Sequence, residues 1–173
     1  MYHIFKNLIS QEECEFLNQK ALEYKNNNKL HHEGSTDSFY KNSFGTAQIP
    51  EFESFLHKMT PKISEAFNMK NIVAENSYTR IYYNGSILGR HIDREGLDIT
   101  MSLCTFTNLE NPWPLYFETL EGEVKSVDLE PGDGAVILGT KMYHWRDPLV
   151  CSPDQYTIMS FYHWRRTLEL KFL

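Results

Sequence analysis

The chain has 173 residues, 41% hydrophobic and 14% aromatic, which suits one packed domain and excludes a disordered segment or a mini-protein that needs stapling. A net charge of −6 argues against general nucleic-acid binding, which needs a basic surface, although it leaves room for a local basic groove. Cys14, Cys104 and Cys151 are odd in number and form no CxxC pair, which argues against a disulfide framework and a cysteine zinc site. Reduced thiols in a cytoplasm are the plainest reading. No signal-peptide run opens the chain, and no stretch approaches the roughly 20 apolar residues of a membrane span.

Tyr2 to Phe5 is a short apolar run suited to an edge strand. Ser10-Gln11-Glu12-Glu13 reads as a capping box, and Cys14, Leu17, Ala21 and Tyr24 follow at helical spacing to about Lys25. Residues 29–50 carry no clear period and are expected to be loop, with a short strand near Ser43–Ala47. Phe52, Phe55, Leu56, Met59, Ile63, Ala66 and Phe67 form a second amphipathic stripe. Thr60-Pro61 interrupts that stripe and predicts a kink or a fresh start, with Thr60 as N-cap.

From Ser77 onward the pattern becomes short strands with turn signals between them. The expected strands are Ser77–Tyr83, Leu88–Asp93, Asp98–Phe106, Leu115–Glu118, Glu123–Asp128, Gly134–Leu138, Met142–Arg146 and Gln155–His163. Asn84-Gly85 and Pro131-Gly132-Asp133 are among the separating turns. The expected architecture is mainly β, a double-sheet jelly roll with two N-terminal helices packed on one sheet. The expected organisation is one domain over residues 1–173, with a helical part at 1–75 and a jelly-roll core at 76–165.

His91 and Asp93 lie two residues apart, so on a strand both side chains point to one face. A second histidine, His144, would complete a site of two histidines and one carboxylate. That donor set suits Fe(II) and leaves coordination positions open. His3, His31, His32, His57 and His163 have no comparable context and read as structural or solvated.

The HxD pair, the distal His144 and the strand pattern resemble the 2-oxoglutarate/Fe(II)-dependent dioxygenases, in particular their prolyl 4-hydroxylase-like branch. Tyr82-Tyr83-Asn84-Gly85, Leu129-Glu130-Pro131-Gly132-Asp133 and His144-Trp145-Arg146 add to the likeness, which covers roughly residues 75–165. The resemblance implies a double-stranded β-helix, as in cupins, in which His91, Asp93 and His144 are the catalytic Fe(II) ligands. It implies 2-oxoglutarate and O2 as co-substrates, and succinate and CO2 as products of hydroxylating a substrate C–H bond. Tyr82, Tyr116, Tyr143, Trp145 and Phe161 are candidates to line the cavity.

The family anchors the far carboxylate of 2-oxoglutarate with a basic residue on the last barrel strand. The matching positions here, Asp154 and Gln155, are not basic. Arg146, on the same strand face as His144, is the first candidate, because a guanidinium grips a carboxylate in a bidentate fork. Tyr82 matches the tyrosine that bonds the co-substrate in prolyl hydroxylases, and Gln155, Thr157 and Ser102 are weaker polar candidates. Arg80, Arg90 and Arg94 are alternatives, either for the co-substrate or for substrate at the mouth.

The missing basic residue keeps open an Fe(II) oxidase that does not use 2-oxoglutarate. A non-catalytic cupin-like metal- or ligand-binding module is the reading from another class. The expected substrate is a peptide, with prolyl favoured, or an amino-acid side chain or other small molecule. Leu30–Pro50 and Val150–Asp154 are expected to form the loops that select it. Neither nucleic acid nor a membrane is an expected partner.

Overall fold

Ser10 starts the first helix, α1 (Gln11–Asn26), as the capping box requires. Its hydroxyl accepts from the Glu13 amide at 3.1 Å, and the Glu13 carboxylate accepts from the Ser10 amide at 2.9 Å. The computed structural model describes residues 1–33 and 40–167. Ahead of the helix lies β1 (Tyr2–Phe5), an edge strand as its sequence suggests. After it come β2 (His31–Glu33) and β3 (Tyr40–Ala47), so the strand expected near Ser43–Ala47 is present, longer, and paired with a second strand where loop was expected. Polar side chains on an exposed edge pair hide the alternation that reveals a strand.

The second helix, α2 (Pro50–Ala66), runs unbroken through Pro61. Pro50 sits in its first turn, where a missing N–H costs nothing. Thr60 is not an N-cap. Its hydroxyl donates to the Leu56 carbonyl at 3.0 Å and accepts from the Trp164 indole at 2.9 Å. The buried stripe Phe52, Phe55, Leu56, Met59 and Ile63 holds the helix against the sheet, and this burial outweighs the bond lost at Pro61.

The core strands follow as β4 (Ile72–His91), β5 (Ile99–Thr107), β6 (Leu115–Glu118), β7 (Val124–Val127), β8 (Gly134–Ile137), β9 (His144–Arg146) and β10 (Thr157–Arg166). They pair antiparallel in the order β1-β8-β5-β10-β4-β9-β6-β7, with β3 on β4 and β2 on β3. Ser77–Tyr83 and the expected strand from Leu88 are therefore parts of one long strand, which ends at His91 rather than at Asp93. Its first half pairs with β10, its last residues pair with β9, and it turns the corner between the two sheets at Asn84-Gly85. Gly85 takes a φ of +83° there, and its N–H donates to the Leu149 carbonyl at 2.7 Å. Ser86 holds the bulge by accepting from the Tyr83 amide and donating to the Asn42 carbonyl, both at 2.9 Å.

Strand alternation then builds two main cores, beside a small third one of Phe117, Ile137 and Met142. Ile99, Met101 and Leu103 of β5, with Ile158, Tyr162 and Trp164 of β10, pack against both helices. The opposite faces of these strands turn inward, where Cys104, Met159 and Phe161 join Tyr82, Trp113 and Leu115. This is the curled jelly roll with helices on one face that the sequence implies. Among the described residues no helix is long and apolar enough to cross a membrane.

Candidate metal centre

The corner in β4 delivers His91 to the strand's end, opposite His144 of β9 as a direct cross-strand partner. Asp93 follows in the next turn, tied by its amide to the Gly139 carbonyl at 2.9 Å. Nε2 of His91 and Nε2 of His144 each lie 3.6 Å from Asp93 Oδ1, and one ligand atom from each residue falls within 4.8 Å of the others. Sequence reading joined these three residues, and the fold brings them to one point.

Both imidazoles are oriented from behind. Nδ1 of His91 lies 2.7 Å from the Gly89 carbonyl, and Nδ1 of His144 lies 3.1 Å from the Met142 carbonyl. A carbonyl can only accept, so each Nδ1 carries the proton and each Nε2 lone pair faces Asp93. Burial pushes the His144 pKa down, against the pull of Asp93, so its imidazole stays neutral. Burial alone would raise the Asp93 carboxyl, but the neighbouring His91 and His144 rings and the Thr100 hydroxyl outweigh it and hold the pKa at about 2. A neutral His144 imidazole and an ionised Asp93 carboxylate are protonation states that a divalent metal requires. The donor set therefore fits Fe(II), with room for further ligands.

Two supports of the site escaped the sequence reading. Thr100 of β5 donates its hydroxyl to Asp93 Oδ2, leaving Oδ1 to face the histidines. Gly139 supplies space, because a Cβ there would overlap Asp93 Oδ2 and Thr100 Oγ1 and lie 2.7 Å from the Leu97 carbonyl. Neither residue carries a motif; only the folded register puts them behind Asp93. Gly139→Ala is expected to weaken Fe(II) binding at least tenfold and destabilise the apo protein by about 1–3 kcal/mol. Metal titration and thermal unfolding of that variant check both numbers.

A cavity of about 460 Å³ opens beside these ligands, walled by Asn76, Tyr78, Arg80, Arg94, Phe161 and His163 among others. His163 is structural in that it is buried and bonds the Asn76 carbonyl, and on the inward face of β10, in step with Thr157, Met159 and Phe161, it also lines the cavity. Burial pushes its pKa down to about 4, with Asp93 opposing and Arg94 assisting. Arg80 also reaches the cavity, but its Nε donates to Glu33 at 2.8 Å. Burial raises the Glu33 carboxyl; Arg80, Tyr78 and Ser43 more than offset this and keep its pKa low.

Arg146 is the deepest cation, only 1% exposed. Its Nη1 donates to the Trp113 carbonyl, Nη2 lies 3.7 Å from Met159 Sδ, and its guanidinium lies 4.9 Å from the Trp113 ring centre. Among the described residues it pairs with no carboxylate, and its Nε has no hydrogen-bond partner. Burial drags its pKa down to about 10, with Tyr82 and Cys104 opposing. Tyr82 lies in the same inner core, its ring 4.9 Å from Trp113. Ser102 is buried on the inward face of β5, between Thr100 and Cys104. Thr157 donates to the Phe106 carbonyl at 2.8 Å and lies at the start of the β10 inner face.

Other candidates are placed elsewhere. Gln155 does not face the metal ligands, because the preceding turn uses its amide: Oε1 accepts from Ser152 N at 3.0 Å and Nε2 donates to the Asn108 carbonyl at 3.2 Å. Arg90 pairs with Glu118 and lies over the Tyr143 ring, while Tyr116 and Trp145 stack on each other at 5.6 Å. None of these aromatics lines the cavity; Phe161 does. Val150–Asp154 sits by the Asn84 corner, where Cys151 N donates to Asn84 Oδ1, so it is not a loop of this mouth. Within Leu30–Pro50, Glu33 reaches the cavity wall at Tyr78 and Arg80, and residues 34–39 lie outside those described. The turn Ile92–Leu97 lines the mouth instead.

No protein-family model matches the chain, and no curated protein matches it in sequence. Solved structures do match in fold. A Pseudomonas putida prolyl-4-hydroxylase superposes with a TM-score of 0.75 over 96% of this chain and 92% of its own, at 13% identity. The viral collagen prolyl hydroxylase of Paramecium bursaria Chlorella virus-1, solved as a 2-oxoglutarate complex, gives 0.68 over 96% of both chains at 15% identity. A Trichoplax adhaerens prolyl hydroxylase, solved with a peptide of hypoxia inducible factor, gives 0.68 over 95% and 83% at 12% identity. The fold of this chain is that of the prolyl 4-hydroxylases and other 2-oxoglutarate/Fe(II) oxygenases.

Proposed function

We propose that the chain is an Fe(II)- and 2-oxoglutarate-dependent oxygenase, acting as one domain over residues 1–173. Its substrate is a peptide, prolyl in the first instance, or an amino-acid side chain, and its coproducts are succinate and CO2. The observation that carries this reading is the convergence of His91 Nε2, His144 Nε2 and Asp93 Oδ1, in a fold held in common with such oxygenases.

Iron, when bound, supplies O2 activation and the oxidative decarboxylation of 2-oxoglutarate. The chain's own residues bind and orient. His91, Asp93 and His144 hold the metal from one side and leave the cavity side open. Arg146 takes the distal carboxylate of 2-oxoglutarate, because its buried guanidinium has no anionic partner among the described residues and can donate to a carboxylate. Met159 Sδ meets Arg146 Nη2, so the guanidinium fills from β9 the space in front of the last strand. Tyr82, Ser102 and Thr157 offer hydroxyls along the same wall, while Trp113 and Leu115 exclude water.

An anaerobic titration with Fe(II) and then 2-oxoglutarate tests this reading. The weak visible charge-transfer band of the chelated complex is the expected result. Iron binding with no band on adding 2-oxoglutarate would overturn it.

A further inference from the structure

His91 and His144 hang from a sparsely paired stretch of sheet. β9 is three residues long, and the pairs Leu88–Arg146 and His91–His144 join it to β4. Between those pairs, three steps along β4 span two along β9, so Gly89 and Arg90 form a β-bulge opposite Trp145. The bulge serves the site, since it brings the Gly89 carbonyl to Nδ1 of His91. It also disrupts the ladder beside the metal ligands, where a single cross-strand pair holds the two histidine backbones together.

The outer face of the same strands carries a second tie. Alternation turns Trp145 outward between the buried His144 and Arg146, and Arg90 projects outward next to His91 with about half its side chain exposed. The Arg90 guanidinium lies 3.7 Å from the Tyr143 ring centre and 5.7 Å from that of Trp145. Trp145 in turn stacks on Tyr116 of β6 at 5.6 Å. Nη2 of Arg90 donates to Glu118 of β6 at 2.5 Å. One cation thus links β4 to the two residues that flank His144 and to the strand beyond them.

An isolated exposed ion pair contributes little to global stability. Here the consequence is geometric, because a metal site needs its ligands held to within about 0.5 Å of the productive arrangement. Charge pairing and cation–π contact act together on the seam that the bulge interrupts.

We propose that Arg90 is a positioning residue for the metal centre, a staple on the outer face of the sheet that fixes the separation of His91 and His144. It touches neither metal nor co-substrate, and it acts through Tyr143, Trp145 and Glu118. This rests on the metal-binding part of the oxygenase reading and adds to it a residue outside the cavity.

The test titrates the whole chain anaerobically with Fe(II), and follows the Co(II)-loaded protein by its visible absorption, which reports ligand geometry. Arg90→Met keeps side-chain length and removes the charge. It should weaken Fe(II) binding about tenfold, the lower end of what an outer-shell partner contributes, and should shift the Co(II) absorption. Glu118→Gln should act in the same direction. The double variant should be no weaker than Arg90→Met alone, because the pair acts as one unit. Lys58→Met is the control, since Lys58 also pairs with a glutamate, Glu13 at 2.5 Å, and lies over a ring, Phe55 at 5.6 Å, but on the helices. It should leave both metal readings at wild-type values, whatever its effect on thermal unfolding. The proposal is overturned if Arg90→Met binds Fe(II) within about twofold of wild type, if Lys58→Met loses as much affinity, or if the Arg90 and Glu118 losses simply add. A wild-type protein that does not bind Fe(II) would sink the metal-centre reading and this inference with it. Wild-type binding that is indifferent to Arg90→Met sinks this inference alone.

Discussion

Replacing Asp93 or His144 with alanine is expected to lower Fe(II) affinity by more than about 100-fold while leaving the apo protein folded. The two effects separate because the three ligand side chains add little to the core. The jelly roll is held by the helix-facing cluster of Ile99, Met101, Leu103, Ile158 and Trp164 and by the inner cluster around Trp113 and Met159. Asp93 gives the sharper case. Its Oδ2 is bonded by Thr100 and its Oδ1 lies 3.6 Å from each Nε2, so one substitution removes the anionic donor and the anchor that aims it. Asp93→Asn keeps the volume and an oxygen toward Thr100 but loses the charge, and should bind iron nearly as poorly as alanine. Fe(II) titration with parallel circular dichroism reads both quantities. Iron affinity within tenfold of wild type in Asp93→Ala would remove it from the ligand set.

Arg146→Met is expected to have opposite effects on stability and on co-substrate binding. The guanidinium is fully buried without a carboxylate partner among the described residues, and burial costs it enough to pull its pKa down to about 10. Methionine has similar length, and it would pack against Trp113 and Met159 without that charge. Replacing buried charge with well-packed apolar groups is neutral or stabilises by about 1–4 kcal/mol. The apo protein should therefore unfold at the same or a higher temperature than wild type. Removing one partner of a buried charged pair costs about 2–5 kcal/mol in binding, so 2-oxoglutarate affinity should fall by about 30-fold or more. Fe(II) binding should persist, because His144 is held by the Met142 carbonyl and its pairing with His91, not by Arg146. Isothermal titration with 2-oxoglutarate on the Fe(II)-loaded variant decides the matter. Unchanged affinity would move the anchor elsewhere, while a large loss of thermal stability would make Arg146 a structural residue.

The parts of this site that were legible in the sequence are those set by local periodicity. His91 ends a strand that its alternation marks, although Asp93 reaches the site from the turn beyond it, held by its amide bond to the Gly139 carbonyl, and Ser10 to Glu13 cap a helix because their spacing matches one turn. What stayed hidden depends on long-range register. Asn84-Gly85 looks like a hairpin turn, yet it is a bulge inside one strand, since the chain beyond it continues forward into pairing with β9. Local sequence cannot distinguish a corner from a reversal. Thr100 and Gly139 back Asp93 from β5 and from the turn after β8, and nothing in their neighbours announces this. Gln155 lies next to the expected anchor position in the chain, but its amide closes a turn with Ser152 and Asn108 before β10 begins. Pro61 misled in the other direction, because a well-buried stripe carries a helix through a residue that its local preference opposes.

The most direct test of the central claim is succinate formation from 2-oxoglutarate by the purified chain, with iron, co-substrate and O2 supplied together and omitted in turn. Succinate is predicted to appear only when all three are present, even at the slow rate expected without primary substrate, and to vanish in Asp93→Ala. A wild-type protein that binds Fe(II) and leaves 2-oxoglutarate intact in air would contradict the account.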